Sequence, residues 1–128
     1  MPTDLNEKKK ILLVDDDEIH LTTAKLFLEK DYQVYRAKSG NEALELLTVN
    51  KLAPDLILLD IIMPNMDGWE VFRKIKAMDS MKNVPVAFMT SLEEETEKAR
   101  AHKMGIADYI TKPFDMIDLL KCVKNLLK

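Results

Sequence analysis

The sequence is poor in the residues that several kinds of protein depend on. One cysteine, Cys122, in 128 residues excludes an internal disulfide and any multi-cysteine zinc site. No strictly apolar run is longer than the four residues Leu56 to Leu59, far short of the ~20 that a membrane-spanning helix needs. Excess positive charge is missing as well. Nineteen basic residues against 22 acidic ones leave a net charge of −3, which argues against a general nucleic-acid binder. The stretch from Met1 to Lys10 lacks an apolar centre and reads as a short solvated tail, not a signal peptide. Low-complexity segments, interior linkers and repeats of 20–50 residues are absent too. What remains is 47% hydrophobic and 32% charged, the profile of one globular domain. A chain this long buries roughly two thirds of its unfolded surface, so it folds without disulfide or structural metal. The cysteine usage suits a reducing cytoplasm.

A short apolar run followed by a helix-like stretch recurs five times. Ile11 to Val14 is apolar throughout, as in a strand buried on both faces. The pattern predicts a helix over about 17–30, with Ile19, Thr23, Leu26 and Phe27 on one side. Gln33 to Ala37 alternates like a half-exposed edge strand. Ser39 with Glu42 is a capping box that opens a second helix carrying Ala43, Leu44, Leu46 and Leu47. Asp55 to Asp60 is the third strand. Asp67, three residues before Glu70, opens the third helix. Val84 to Met89 is the fourth strand, with Pro85 tolerated near its start. Ser91 with Glu94 reads as another capping box, opening a helix that is acidic early (Glu93, Glu94, Glu95, Glu97) and basic late (Arg100, Lys103), ended by Gly105. Ala107 to Ile110 is a fifth strand, and about 115–127 the last helix. Alternating β and α units with buried strands imply a parallel sheet covered on both faces. The working site of such a sheet lies beyond the carboxyl ends of its strands.

The residues at those ends form a chemical set. Strand one ends in Asp15, Asp16 and Asp17, strand three in Asp60, strand four in Thr90 and Ser91, and strand five runs into Thr111 and Lys112. Clustered carboxylates repel, and a hard divalent cation relieves the repulsion. Oxygen-only donors suit magnesium, or manganese, over zinc. A carboxylate beside such a cation and a lysine can attack phosphorus and form an aspartyl phosphate, with the cation, Lys112 and Thr90 stabilising charge on the phosphoryl oxygens.

The runs Leu13-Val-Asp-Asp16, Asp60-Ile-Ile-Met-Pro64 with Asp67-Gly68, Met89-Thr90-Ser91 and Tyr109-Ile-Thr-Lys-Pro-Phe114 resemble the motifs of response-regulator receiver domains of the chemotaxis-regulator type. The resemblance spans about 10–128, which leaves residues 1–9 as the tail and 10–128 as the receiver domain. It implies a flavodoxin-like, doubly wound, five-stranded parallel sheet of order 2-1-3-4-5 with helices on both faces. It implies that Asp60 is the phosphoacceptor, and that Asp15, Asp16, Asp60 and the backbone carbonyl of Ile62 hold Mg2+ (or Mn2+), Asp16 more directly than Asp15. Lys112 and Thr90 complete the catalytic set, Pro113 follows Lys112 through a cis bond, and Thr90 and Tyr109 form the switch. The implied function is that of a phosphoacceptor in a two-component or phosphorelay system, a self-phosphorylating receiver and not a turnover enzyme. The implied donor is a histidine kinase or histidine phosphotransfer protein, and the implied output is a target or output domain engaged through the fourth helix, fifth strand and fifth helix. The resemblance also allows a phosphorylation-dependent dimer, and it implies a cytoplasmic location with no direct contact to nucleic acid or membrane.

Simpler roles compete at several positions. Asp17 and Asp67 read as helix N-caps ahead of ligands. His20 and His102 have no metal-spaced partners and read as solvated helix residues, and Cys122 as inert packing. The eight methionines read as core filler and loop. Three other functions meet obstacles. A pseudo-receiver that only binds partners has no need of Asp16, Asp60, Thr90 and Lys112 together. A turnover phosphatase of the aspartyl-nucleophile kind typically carries an acid two residues after the nucleophile, where this chain has Ile62. A flavodoxin-like cofactor binder needs a Gly, Ser and Thr-rich first loop to cradle phosphate, where Asp15 to Glu18 repels it.

Overall fold

The apolar runs become the inner strands of one sheet, and their alternation decides which core each side chain enters. In the computed structural model, which describes residues 8–92 and 94–128, the strands are β1 (Lys10–Val14), β2 (Gln33–Ala37), β3 (Leu56–Leu59), β4 (Val86–Thr90) and β5 (Asp108–Thr111). The helices are α1 (Glu18–Leu28), α2 (Gly40–Thr48), α3 (Gly68–Lys76), α4 (Glu95–Lys103) and α5 (Met116–Leu126). All strand pairs are parallel, in the order β2-β1-β3-β4-β5. The flavodoxin-like doubly wound topology expected from the sequence is therefore present.

Leu12, Val14, Ile57, Leu59, Val86 and Phe88 face one side and pack with Ala43, Leu47, Val71, Phe72, Ile75 and Ala101 of α2, α3 and α4. Their sequence neighbours Ile11, Leu13, Leu56, Leu58, Ala87 and Met89 face the other side, against Leu21, Ala24 and Leu28 of α1 and Leu119, Cys122 and Val123 of α5. This is the period of two that a strand imposes, applied to strands apolar on both faces. Each fully buried Leu, Ile or Phe contributes about 1.5–3 kcal/mol relative to an exposed one. Phe88 has Trp69 edge-on at 4.9 Å and Tyr109 at 6.2 Å. As expected, β2 is a half-buried edge.

Short-range capping reads true. Asp17 accepts from the N–H groups of Ile19 and His20, Ser39 and Asp67 each from the residue three positions on, and Asp115 from Asp118. Gly105, at φ +92° just past the end of α4, takes the left-handed conformation that stops a helix. Two expectations need correction. The buried stripe of α1 is Leu21, Ala24 and Leu28, while Ile19 and Leu26 are 74% and 64% exposed. Two apolar stripes share this helix, and packing against β1 selects the one with Ala24 at its centre, where the helix can approach closely. The Ser91 capping box does not form. Helix α4 begins at Glu95 after Glu94, whose side chain makes no cap hydrogen bond, because Leu92 is held back toward the sheet by Thr90 and Tyr109. Glu93, and the tail expected over 1–9 as far as residue 7, lie outside the described residues. Lys8 and Lys9 are already tied to the domain, through the Lys30 carbonyl and the Gln33 N–H. A short 3-10 turn over Asp79–Met81, unanticipated from the sequence, precedes β4.

Candidate functional site

Backbone pairing continues one residue beyond the strands, and this sets the site. The Asp15 N–H donates to the Ala37 carbonyl at 3.1 Å, the Asp60 N–H to Val14 at 2.9 Å and the Lys112 N–H to Thr90 at 2.8 Å. Asp15, Asp60 and Lys112 are thereby delivered from three strand ends to one edge of the sheet. They line an open cleft of about 610 Å3 together with Asp16, Ile62 and Ser91.

Lys112 is the hub. Its ammonium donates to Asp15 Oδ2 and, at 3.1 Å, to Asp60 Oδ2, and lies 2.9 Å from Nδ1 of His20. The second oxygens of the two carboxylates are held by local backbone. Asp15 Oδ1 accepts from the Asp17 N–H at 2.9 Å, and Asp60 Oδ1 from the Ile62 N–H at 3.3 Å. Asp15, Asp60, Thr90 and Lys112 are buried, whereas Asp16 is exposed beside them. Burial pushes the Asp15 carboxyl above its usual range, with the Lys112 ammonium and the Asp17 N–H pulling the other way. Asp17 moves down, because the N–H groups at the start of α1 favour its carboxylate.

Asp15, Asp16 and Asp60 each offer a carboxylate oxygen within 4.8 Å of the others. Three carboxylates against one ammonium leave an uncompensated negative charge at a mouth open to water. That donor set fits a hard divalent cation, which keeps several open positions when held by few carboxylates. The structure thus brings together Asp15, Asp16, Asp60 and Lys112 as the sequence suggests. Ile62 stands at the rim with its side chain 54% exposed, and Lys112–Pro113 is cis.

Thr90 and Tyr109 are linked through one residue. The Leu92 N–H lies 3.4 Å from the Thr90 hydroxyl and donates to it, and the Tyr109 hydroxyl donates to the Leu92 carbonyl at 2.7 Å. Gly68 closes the site from below. A Cβ there would meet the Asp60 carbonyl oxygen at 2.3 Å and Ile61 Cα at 2.7 Å, and the Gly68 N–H donates to the Ile61 carbonyl at 2.8 Å.

Sequence reasoning missed one member. His20, read as a solvated helix residue, is half-buried and faces Lys112 from 92 positions away. The available signal was its place in the first turn after the Asp17 cap, where a helix side chain points back toward the preceding strand end. Asp17 and Asp67 are caps, as anticipated, Cys122 is buried, and His102 is exposed.

These features meet known proteins at one point. The sequence model of the response regulator receiver domain matches residues 11–124. The transcriptional regulatory protein CrdR of Helicobacter pylori is 38% identical over 92% of this chain and 54% of its own length, so the chain spans about half of that relative. Protein PilH of Pseudomonas aeruginosa is 34% identical over 92% of this chain and 97% of PilH. Among solved structures, the chemotaxis protein CheY4 of Vibrio cholerae superposes with a TM-score of 0.86 at 28% identity, covering 93% of this chain and 98% of that one. The chain belongs to the response regulator receiver domain family, a family of two-component signalling.

Proposed function

We propose that this receiver takes a phosphoryl group from the phosphohistidine of a histidine kinase or histidine phosphotransfer protein onto Asp60, and that the modification changes its partner-binding surface. The supporting observation is the Lys112 ammonium seated between Asp15 and Asp60 at the floor of an open acidic cleft. An Asp60 oxygen attacks phosphorus, the P–O bond forms as the P–N bond breaks, and the donor imidazole leaves with the electron pair. Asp15, Asp16, Asp60 and the Ile62 carbonyl would hold Mg2+, or Mn2+ in its place. When bound, the cation supplies positive charge for the phosphoryl oxygens. Lys112 releases its contact to Asp60 and pairs with a phosphoryl oxygen. Ile62 brings no acid–base group to the cleft, which favours a self-phosphorylating receiver over a turnover enzyme.

The signal leaves through Thr90. At rest the Thr90 hydroxyl accepts from the Leu92 N–H, and a phosphoryl oxygen offers the hydroxyl's own proton a strong acceptor. As the hydroxyl turns toward it, the Leu92 N–H loses its acceptor, and the Leu92 carbonyl that holds Tyr109 shifts with it. The Tyr109 ring then repacks against Phe88, which reshapes the α4–β5–α5 face for a target or for a second copy of the domain. The net charge of −3 argues against direct contact between this domain and nucleic acid. Among the described residues no helix is long and apolar enough to cross a membrane, and the lone buried thiol suits a cytoplasmic setting. The test is the NMR spectrum of the Tyr109 ring and α4 amides with and without beryllofluoride, which stands in for the phosphoryl group. Both sets of signals move in wild type and stay largely in place in Thr90→Ala. Equal shifts in the two proteins would show that the hydroxyl does not carry the signal.

A further inference from the structure

An ammonium has three protons and no lone pair, so Lys112 can only donate. Two of its protons face Asp15 and Asp60, and the third direction is taken by His20 Nδ1 at 2.9 Å. Two donors do not sit that close. The tautomer that suits this contact has a lone pair on Nδ1 and the ring proton on Nε2. The ring also lies 3.5 Å from Asp15 Oδ2 and 3.7 Å from Asp17 Oδ2, so the lysine is the only donor among these three polar neighbours.

We propose that His20 is a positioning residue of the receiver site, the third acceptor that fixes the Lys112 ammonium between Asp15 and Asp60. A lysine side chain is a flexible four-carbon stem with considerable rotamer freedom. Two carboxylates alone leave it free to swing toward the mouth of the cleft, where Asp16 and water offer other partners. His20 closes that route. It is 41% exposed where Lys112 is 6% exposed, so it stands between the ammonium and solvent. Its own aim is fixed locally, because the Asp17 carboxylate accepts the N–H groups of both Ile19 and His20 and sets the first turn of α1. The functional consequence rests on the reading of Lys112 as the group that meets the phosphoryl oxygens. A lysine already aimed at Asp60 has less freedom to lose when phosphorus arrives.

Two substitutions separate the acceptor from the bulk of the ring. His20→Leu removes the acceptor and keeps a side chain of similar girth, whereas His20→Asn places an amide oxygen near the position of Nδ1. With acetyl phosphate and Mg2+, the rate of phosphoryl uptake should fall about tenfold or more in His20→Leu, the size of one lost hydrogen bond to a charged donor, and return to within about twofold of wild type in His20→Asn. Equal rates in wild type and His20→Leu overturn the proposal and would make the ring a matter of bulk alone; equally slow rates in both variants overturn it too, because an acceptor restored near the position of Nδ1 would then not restore the rate. A second measurement needs no phosphoryl donor. In the resting protein the Lys112 ammonium should be ordered in wild type and His20→Asn and mobile in His20→Leu, and the ring 15N signals of His20 should report an unprotonated Nδ1. A protonated Nδ1, or an ammonium equally ordered in all three, contradicts the positioning role. A wild-type protein that takes up no phosphoryl group would refute the phosphoacceptor reading, and the resting-state signals would still decide whether His20 holds Lys112.

Discussion

Gly68→Ala is the substitution whose cost the structure defines most sharply. Its Cβ would fall 2.3 Å from the Asp60 carbonyl oxygen, 2.7 Å from Ile61 Cα and 3.0 Å from the Asp60 carbonyl carbon. All three are backbone atoms at the end of a central strand, so no side chain can swing away to make room. Overpacking a tight site costs about 1–3 kcal/mol, and a rigid wall belongs at the top of that range. Separating the segments also weakens the hydrogen bond from the Gly68 N–H to the Ile61 carbonyl, adding about 1 kcal/mol. The sum of ~3–4 kcal/mol should lower the Tm by roughly 11–15 °C for a domain of this size. Gly40→Ala is the control. Its Cβ would meet the Val71 methyl at 2.5 Å and Met66 side-chain atoms at 2.9 and 3.3 Å, groups that can partly yield, so the cost should be about 1–2 kcal/mol. The two should differ in function as well as in stability. Gly68→Ala displaces Asp60 and should slow its phosphorylation by acetyl phosphate even where the protein is fully folded, whereas Gly40→Ala should not. Urea unfolding gives the first comparison and initial rates the second. A Gly68→Ala protein with the stability and rate of Gly40→Ala would refute the argument that the close approach at Gly68 sets the position of Asp60.

Three further outcomes follow from the same geometry. Mg2+ at about 100 times its dissociation constant should stabilise the fold by ~2.7 kcal/mol; thermal unfolding of Asp16→Ala should show that gain sharply reduced, and an equal gain would remove Asp16 from the ligand set. Burial, with Asp108 nearby, pushes the Cys122 thiol up from 9.0 to about 12, so an alkylating reagent at neutral pH should modify it only as the protein unfolds. The same shift has a sign in stability: the unfolded chain loses this proton near pH 9 while the folded one keeps it to about 12, so stability is lost as pH rises through that window, and the loss should be shallower in Cys122→Ala.

The parts of this molecule that were legible in the sequence are those decided within a few residues or by strong alternation. Strands β1, β3 and β4 announced themselves as apolar runs, and the Asp17, Ser39 and Asp67 caps needed only the next turn of chain. The carboxylates of Asp15, Asp16 and Asp60 were legible once the strands were taken as parallel, since their ends then share an edge. What was misread depends on distant packing. Helix α1 carries two apolar stripes, and only its seat on β1 chooses Leu21, Ala24 and Leu28 over Ile19 and Leu26. The start of α4 is displaced because Leu92 is bound to Thr90 and, across the sheet edge, to Tyr109. His20 met Lys112 from 92 positions away; its place in the first turn after the Asp17 cap aims it at the strand end, but only the fold brings Lys112 there.

The central claim is that Asp60 receives the phosphoryl group. The direct measurement is intact mass under mild conditions after incubation with acetyl phosphate and Mg2+, followed by localisation of the acyl phosphate within the chain. The account predicts a gain of one phosphoryl group in wild type, placed on Asp60, and none in Asp60→Asn. An Asp60→Asn protein that gains the group as readily as wild type would contradict it.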